Sequence, residues 1–144
     1  MKKGNFYHGA VGVGKTTRMR AEYEALKGAG KGWLSADDLT RIALTEGLLR
    51  IMDLARNHYV HVFIDDIGHE PASVNHFGTV FSPVAEFIKA RYSKCQQEPD
   101  WHRTTHFTSN LLPEQLRELY GEYIFDRLIE MCVWVHAEGE SFRK

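Results

Sequence analysis

The sequence predicts an α/β fold on a mostly parallel sheet, and three observations carry that expectation. Five short runs rich in β-branched and aromatic residues alternate with helical segments over 144 residues. The first run, Phe6-Tyr7-His8, leads directly into Gly9-Ala10-Val11-Gly12-Val13-Gly14-Lys15-Thr16, which matches G-x-x-x-x-G-K-[ST] and is followed by a helical stretch. The third run, Tyr59 to Ile64, is apolar enough for a central parallel strand and stops at Asp65-Asp66.

Taken in order, Met1 to Asn5 is a polar lead into the first strand, and Thr16 to Leu26 reads as a helix whose Met19, Tyr23 and Leu26 cover the sheet. Gly28 to Gly32 ends it, and Trp33-Leu34-Ser35 is the second strand. Helices follow over Ala36–Ala43, with Asp37 and Asp38 in its first turn, and Thr45–Arg56; Ser35 and Thr45 are the candidate caps. After the strand Tyr59–Ile64, a long helical region is expected over Val74–Tyr92, broken or kinked near Ser82 by Pro83. Ser93 to Trp101 reads as a surface loop, Thr104 to Thr108 as the fourth strand, and Pro113 as the first turn of a helix through Leu119. A further helix around Tyr123–Ile129, the strand Cys132–His136 and a charged tail complete one expected domain, 1–144.

Composition excludes several classes. Hydrophobic residues make up 43% and charged residues 26%, ordinary for a globular protein, and no apolar run is long enough to span a bilayer. With no apolar leader after Met1-Lys2-Lys3, a cytoplasmic location without membrane contact is expected. Cys95 and Cys132 have no metal-like spacing and read as reduced structural thiols. A net charge of −1 gives no global attraction to nucleic acid, so weak DNA binding is expected of the isolated chain. His102 and His106 have i, i+4 spacing but fall in a strand context without a third ligand, and His69-Glu70 lacks the second histidine of an H-E-x-x-H site.

The glycine turn is a place to hold phosphate. Glycines let the backbone curl with its N–H groups inward, and the helix N-terminus adds partial positive charge. Gly9, Gly12, Val13, Gly14, Lys15, Thr16 and Thr17 form this cradle: Lys15 brings a full charge to the β and γ phosphates, and the Thr16 hydroxyl is a magnesium ligand. A carboxylate at the C-terminal end of a neighbouring strand is the expected second metal group, and Asp65 fills it. Asp66, one step on, is placed to orient or deprotonate the attacking water. Asn110 also ends a strand, where a neutral amide can bond phosphate or water without adding repulsion; by itself it equally suits a strand end. On the residues alone, Arg127 reads as a helix-surface partner of Glu130 or Asp126.

Gly9 to Thr17, Phe63-Ile64-Asp65-Asp66-Ile67-Gly68, Thr108-Ser109-Asn110-Leu111, Phe125-Asp126-Arg127-Leu128 and Gly139-Glu140-Ser141-Phe142-Arg143 together resemble the AAA+ ATPases of the bacterial replicative helicase loader group and their transposon-encoded relatives. The resemblance implies a P-loop NTPase three-layer sandwich with strand order 5-1-4-3-2 and, at this length, no separate lid domain. It implies ATP and Mg2+ as cofactors, with adenine preferred over guanine. Asn110 matches the first sensor, Arg127 the arginine given to the ATP of a neighbouring subunit, and Arg143 a late sensor contacting phosphate in its own subunit. A homo-oligomer with ATP at its interfaces follows, with a replicative helicase, a transposase or another protein as partner. In such families the second acid is often Glu, where this chain has the shorter Asp66. The chain starts almost on its first strand, so it resembles the bare ATPase core without the usual N-terminal partner-binding segment.

The leading expectation is Mg-dependent ATP binding and hydrolysis coupled to remodelling or loading of a partner protein or nucleoprotein in DNA replication or mobile-element biology. A small-molecule P-loop kinase is the first alternative; it needs an arginine-bearing lid, for which Arg91 and Arg103 are the only candidates. A nucleotide-binding regulatory module without hydrolysis is the second.

Overall fold

Side-chain alternation along the strands decides what lies on each face of the sheet. The computed structural model describes residues 2–12, 14–28 and 30–137. Along the chain come β1 (Gly4–His8), α1 (Lys15–Ala25), β2 (Lys31–Ser35), α2 (Ala36–Glu46), α3 (Leu48–Asn57), β3 (His61–Ile67), β4 (Val74–His76), β5 (Thr79–Phe81), α4 (Pro83–Gln97), β6 (Thr104–Ser109), α5 (Pro113–Tyr120), α6 (Glu122–Met131) and β7 (Cys132–His136). The main sheet has the order β2-β3-β6-β1-β7, with every neighbouring pair parallel. Counted among themselves, its five strands run 5-1-4-3-2 from the β7 edge, the expected order.

Tyr7 and Phe63 point toward α1 and pack on its buried Met19, while Tyr23 and Leu26 close the margins. One residue away along the strands, Phe6, Val62, Ile64 and Phe107 point to the opposite face and join Leu39, Ile51, Phe87, Leu116, Phe125 and Leu128 of the other helices. The result is three layers, helix, sheet, helices. At roughly 1.5–3 kcal/mol for each large apolar side chain fully buried, the second face supplies most of the stabilisation.

Ser35 caps α2 as expected. Its hydroxyl accepts from the Asp38 N–H at 3.0 Å and the Asp38 carboxylate accepts from the Ser35 N–H at 2.8 Å, a reciprocal capping box. Thr45 does not cap α3; it lies inside α2 with its hydroxyl donating to the Arg41 carbonyl at 2.9 Å, and Gly47 makes the turn between the two helices.

The expected long helix over Val74–Tyr92 is a correction. Val74–Phe81 is a β-hairpin, with Val74 opposite Phe81 and Asn75 opposite Val80. Turn chemistry decides it: the Asn75 side chain accepts from the Gly78 N–H at 2.8 Å, and Phe77 and Gly78 both take positive φ, 49° and 89°. Pro83 starts α4 instead of kinking it, and the Ser82 hydroxyl caps the Ala85 N–H at 3.2 Å. The helix then runs on through the expected surface loop to Gln97, followed by a 3-10 turn over Pro99–Trp101.

Arg91 of α4 is fully buried (0% exposed). Its guanidinium donates to the carbonyls of Tyr59 (2.6 Å), Val60 (2.7 Å), Thr104 (3.0 Å) and Ala55 (3.2 Å) and to the Thr105 hydroxyl (2.9 Å). It ties the end of α3 and the starts of β3 and β6 to α4. Burial pulls its pKa down to about 10. Cys95 and Cys132 are free and buried, and burial raises both thiols. Among the described residues no helix is long and apolar enough to cross a membrane.

Candidate functional site

A cleft of about 310 Å³ opens at the C-terminal ends of β1, β3 and β6, and it holds Lys15, Thr16, Asp65, Asp66, Thr108 and Asn110. In a parallel sheet the strand ends face one way, so residues at the ends of three neighbouring strands meet there although 95 positions separate Lys15 from Asn110.

The turn from β1 into α1 uses its glycines for geometry no other residue adopts freely. Gly12 and Gly14 have φ of 87° and 79°, and a Cβ on Gly9 would sit 2.6 Å from the Ala137 carbonyl oxygen. Gly14 offers no side chain to cap α1, and no acid stands in its first turn, so the helix start keeps its N–H groups and partial charge for another acceptor. Lys15 is buried (6% exposed), and its ammonium donates to the Ala10 carbonyl at 2.7 Å. Burial lowers its pKa, opposed by the charges of Asp66 and Asp65. A buried cation beside uncapped helical N–H groups is a cradle whose chemistry fits an anion.

Across the cleft, one carboxylate oxygen ties the elements together. Asp65 Oδ1 accepts from the Thr16 hydroxyl at 3.0 Å and from the Thr108 hydroxyl at 2.6 Å. Thr108 Oγ1 in turn accepts from the Asp66 N–H at 2.7 Å. The register of β3 against β6 shifts between Ile64 and Ile67, and Asp66 takes a left-handed φ of 61° within that irregularity. The bulge turns two successive acids into one cleft, where a regular strand would send them to opposite faces. Among the described residues no group of three His, Cys, Asp or Glu is arranged to hold a metal ion. The Thr16 hydroxyl and Asp65 carboxylate are oxygen groups of the kind Mg2+ takes when phosphates and water supply the rest of its shell.

Asn110 reaches the same rim, its amide donating to Nε2 of His69 at 3.2 Å, and that imidazole nitrogen is 3.6 Å from Asp66 Oδ1. Behind it the loop is stitched down: Ser109 donates to the Ile67 carbonyl at 2.7 Å, Glu70 accepts from the Gly68 N–H at 2.7 Å, and Tyr120 donates to the same Glu70 carboxylate. Burial, first, and the Glu70 charge raise the Tyr120 phenol.

The cleft therefore gathers Gly12, Gly14, Lys15, Thr16, Thr17, Asp65, Asp66 and Asn110 around one end of the sheet, while Gly9 stands just after β1 against the Ala137 backbone and does not line it. Val13 and Arg143 lie outside the described residues. Arg127 is not brought to the cleft of its own chain; on α6 it contacts Glu130 at 3.3 Å and stacks over Tyr92 and Tyr123 at 4.5 and 4.8 Å. Of the two lid candidates, Arg91 is inside the core and Arg103 pairs with Glu98 at 2.7 Å, so neither arches over the cleft. Sequence reasoning missed Thr108 and His69. Thr108 carried a signal, since it ends a strand beside the cleft; His69 carried none except its place three residues after Asp66.

No family model and no curated protein matches the chain. Solved structures do. AMPPCP-bound DnaA from Aquifex aeolicus superposes with a TM-score of 0.68 at 19% identity, covering 96% of this chain and 41% of that one. The DnaC helicase loader gives 0.65 at 20% identity over 94% of this chain and 78% of its own. DnaI gives 0.60 at 20% identity, over 98% and 73%. The chain thus spans less than half of the DnaA structure. At these identities the likeness is one of fold alone.

Proposed function

We propose that the chain is a Mg2+-dependent ATPase that couples hydrolysis to loading or remodelling of a partner protein or nucleoprotein complex, within the cytoplasm and as one domain over 1–144. The observation that carries this reading is the Thr16–Asp65–Thr108 bridge: it sets a magnesium-type oxygen pair between a phosphate cradle and a second acid. In this reading Lys15 and the N-terminus of α1 bind the polyphosphate, and Thr16 and Asp65 hold the metal, directly or through water. A magnesium ion held there would supply positive charge against the negative charge of the phosphates. Asp66 takes the proton of the attacking water or orients it, and the Asn110 amide holds water or γ-phosphate without adding negative charge. Arg127 serves a neighbour's site, which makes the active form a homo-oligomer; the likeness to the DnaC helicase loader is what favours a helicase-type partner.

Phosphate release from γ-labelled ATP tests the reading. The full chain is expected to release label to water with Mg2+ present. Asp66→Asn is expected to keep ATP affinity and lose hydrolysis by about 100-fold or more, the usual worth of a positioned general base. Lys15→Ala is expected to lose both. Label passing to a nucleoside or a small acid would assign the cleft to a kinase instead.

A further inference from the structure

His69 has no part in the proposed hydrolysis, yet it touches two of its groups. Its Nε2 lies 3.2 Å from the Asn110 amide nitrogen and 3.6 Å from Asp66 Oδ1. Those neighbours make opposite demands on one atom. An amide N–H needs a bare lone pair there, whereas a carboxylate needs a proton. The imidazole is 49% exposed on its side chain, open to exchange with solvent.

We propose that His69 is a positioning residue that couples Asn110 to Asp66, with the proton on Nε2 deciding which of the two it holds. The proposal rests on the hydrolytic reading of the cleft. With its proton on Nδ1, the neutral ring accepts from the Asn110 amide, and Asp66 keeps both oxygens for water. With Nε2 protonated, the ring donates to Asp66, weakens it as a base and releases the amide. Hydrolysis is therefore supported by the neutral ring with its proton on Nδ1 and falls when the ring takes up a second proton on Nε2.

Thr108 sharpens the arrangement. It pins the Asp66 N–H at 2.7 Å in the left-handed conformation, so side-chain rotation is the freedom left to that carboxylate, and His69 takes it up. Asp66 is the charged group beside the ring; the adjoining cleft adds Asp65 on β3 and Lys15 on α1, and Glu70 follows His69 on its own loop. Asp65 is engaged by Thr16 and Thr108, and Glu70 by the Gly68 N–H and Tyr120, which leaves Asp66 as the acid within reach. From the β6–α5 side the facing group is the neutral Asn110 amide.

Steady-state hydrolysis by the full chain between pH 5.5 and 8.5 tests the coupling, with His69→Gln and His69→Ala alongside. The glutamine side chain is able to accept the Asn110 amide but does not titrate. The wild type is expected to gain about 5–10-fold in kcat from the acid to the alkaline end of that pH range, with KM for ATP unchanged. His69→Gln is expected to be flat there and near the wild-type upper level, and His69→Ala flat and about 5–10-fold lower. An acid limb that persists in His69→Gln overturns the proposal. NMR of the nucleotide-free chain separates this from failure of the hydrolytic reading. The Asn110 side-chain amide resonance is expected to follow the His69 imidazole as pH changes and to lose that response in His69→Gln. An Asn110 resonance indifferent to His69 overturns the coupling; a responsive one in a chain without ATPase overturns the hydrolytic reading alone.

Discussion

Lys15 is a cation that burial disfavours and that Asp66 and Asp65 support, and in the proposed reading an incoming polyphosphate would add to that support. ATP or an unhydrolysable analogue at about 100 times its Kd is expected to add roughly 2.7 kcal/mol to folding stability, a Tm rise on the order of 5–10 °C for a chain of this size. Differential scanning calorimetry should record that shift in the wild type and lose it in Lys15→Ala. His106 shows the reverse case, a titratable group with no functional assignment. Its Nδ1 accepts the Asn5 N–H at 3.0 Å and its ring stacks on Phe63 at 4.2 Å, so it is held neutral. Glu22, 3.4 Å away, is no ion-pair partner for a nitrogen already used as an acceptor; it accepts from the Asn5 side-chain amide at 2.7 Å instead. Burial, first, then the charges of His61, Arg91 and Lys2, pull the His106 pKa down to about 4. The unfolded chain therefore binds the extra proton between the ordinary histidine value and about 4, and stability falls as pH drops through that window. The loss is expected to reach up to about 3 kcal/mol at pH 4 relative to His106→Gln, measured by urea unfolding at a series of pH values. The glycine turn from β1 into α1 was readable from sequence because its residues are contiguous. The contacts of Thr108 and His69 were not, because their partners on β3 and after β6 come together only in the folded sheet.

At the scale of elements, the strands were legible where apolar runs ended in polar residues, as Cys132–His136 did, and illegible where two rules collided. Val74, Phe77, Phe81, Val84 and Ile88 repeat at spacings of three and four, a helical signature. Asn75 and Gly78 form a turn within that repeat, and the turn prevails: Phe77, instead of facing a core, stands 96% exposed at the hairpin tip. Phe77→Ser is accordingly expected to change stability by no more than about 0.5 kcal/mol. Arg91 is the opposite extreme on the next element. Arg91→Ala would remove the donor of five buried contacts at once, to the carbonyls of Ala55, Tyr59, Val60 and Thr104 and to the Thr105 hydroxyl; of these the Val60 carbonyl keeps a second donor, the Thr104 N–H at 3.1 Å. Urea unfolding should show a loss of about 3–5 kcal/mol for Arg91→Ala, with Arg91→Lys only partly restored because an ammonium has fewer donors. A charged side chain in the middle of an amphipathic helix gives no sequence sign that it points inward. For that reason its structural role was invisible, and it could be weighed as a lid arginine.

For the whole molecule, the decisive question is whether one chain completes its own site. Five of the proposed groups share a cleft, and Arg127 sits apart on α6, held by Glu130, Tyr92 and Tyr123 with its side chain 21% exposed. If Arg127 acts on a neighbour, it has to leave those contacts, and its effect has to depend on assembly. Specific ATPase activity is then expected to rise with protein concentration from nanomolar to high micromolar, and Arg127→Ala to remove that rise while leaving ATP binding intact. Mixing supplies the sharper test. Lys15→Ala lacks a working cradle but keeps Arg127, whereas Arg127→Ala keeps its cradle and lacks the donor. Each is expected to be inactive alone, and an equimolar mixture is expected to recover a measurable fraction of wild-type turnover, because some interfaces pair an intact cradle with an intact arginine. Neither variant can do this as a monomer, so a mixture no more active than its parts would return Arg127 to the surface partnership with Glu130 in which it stands.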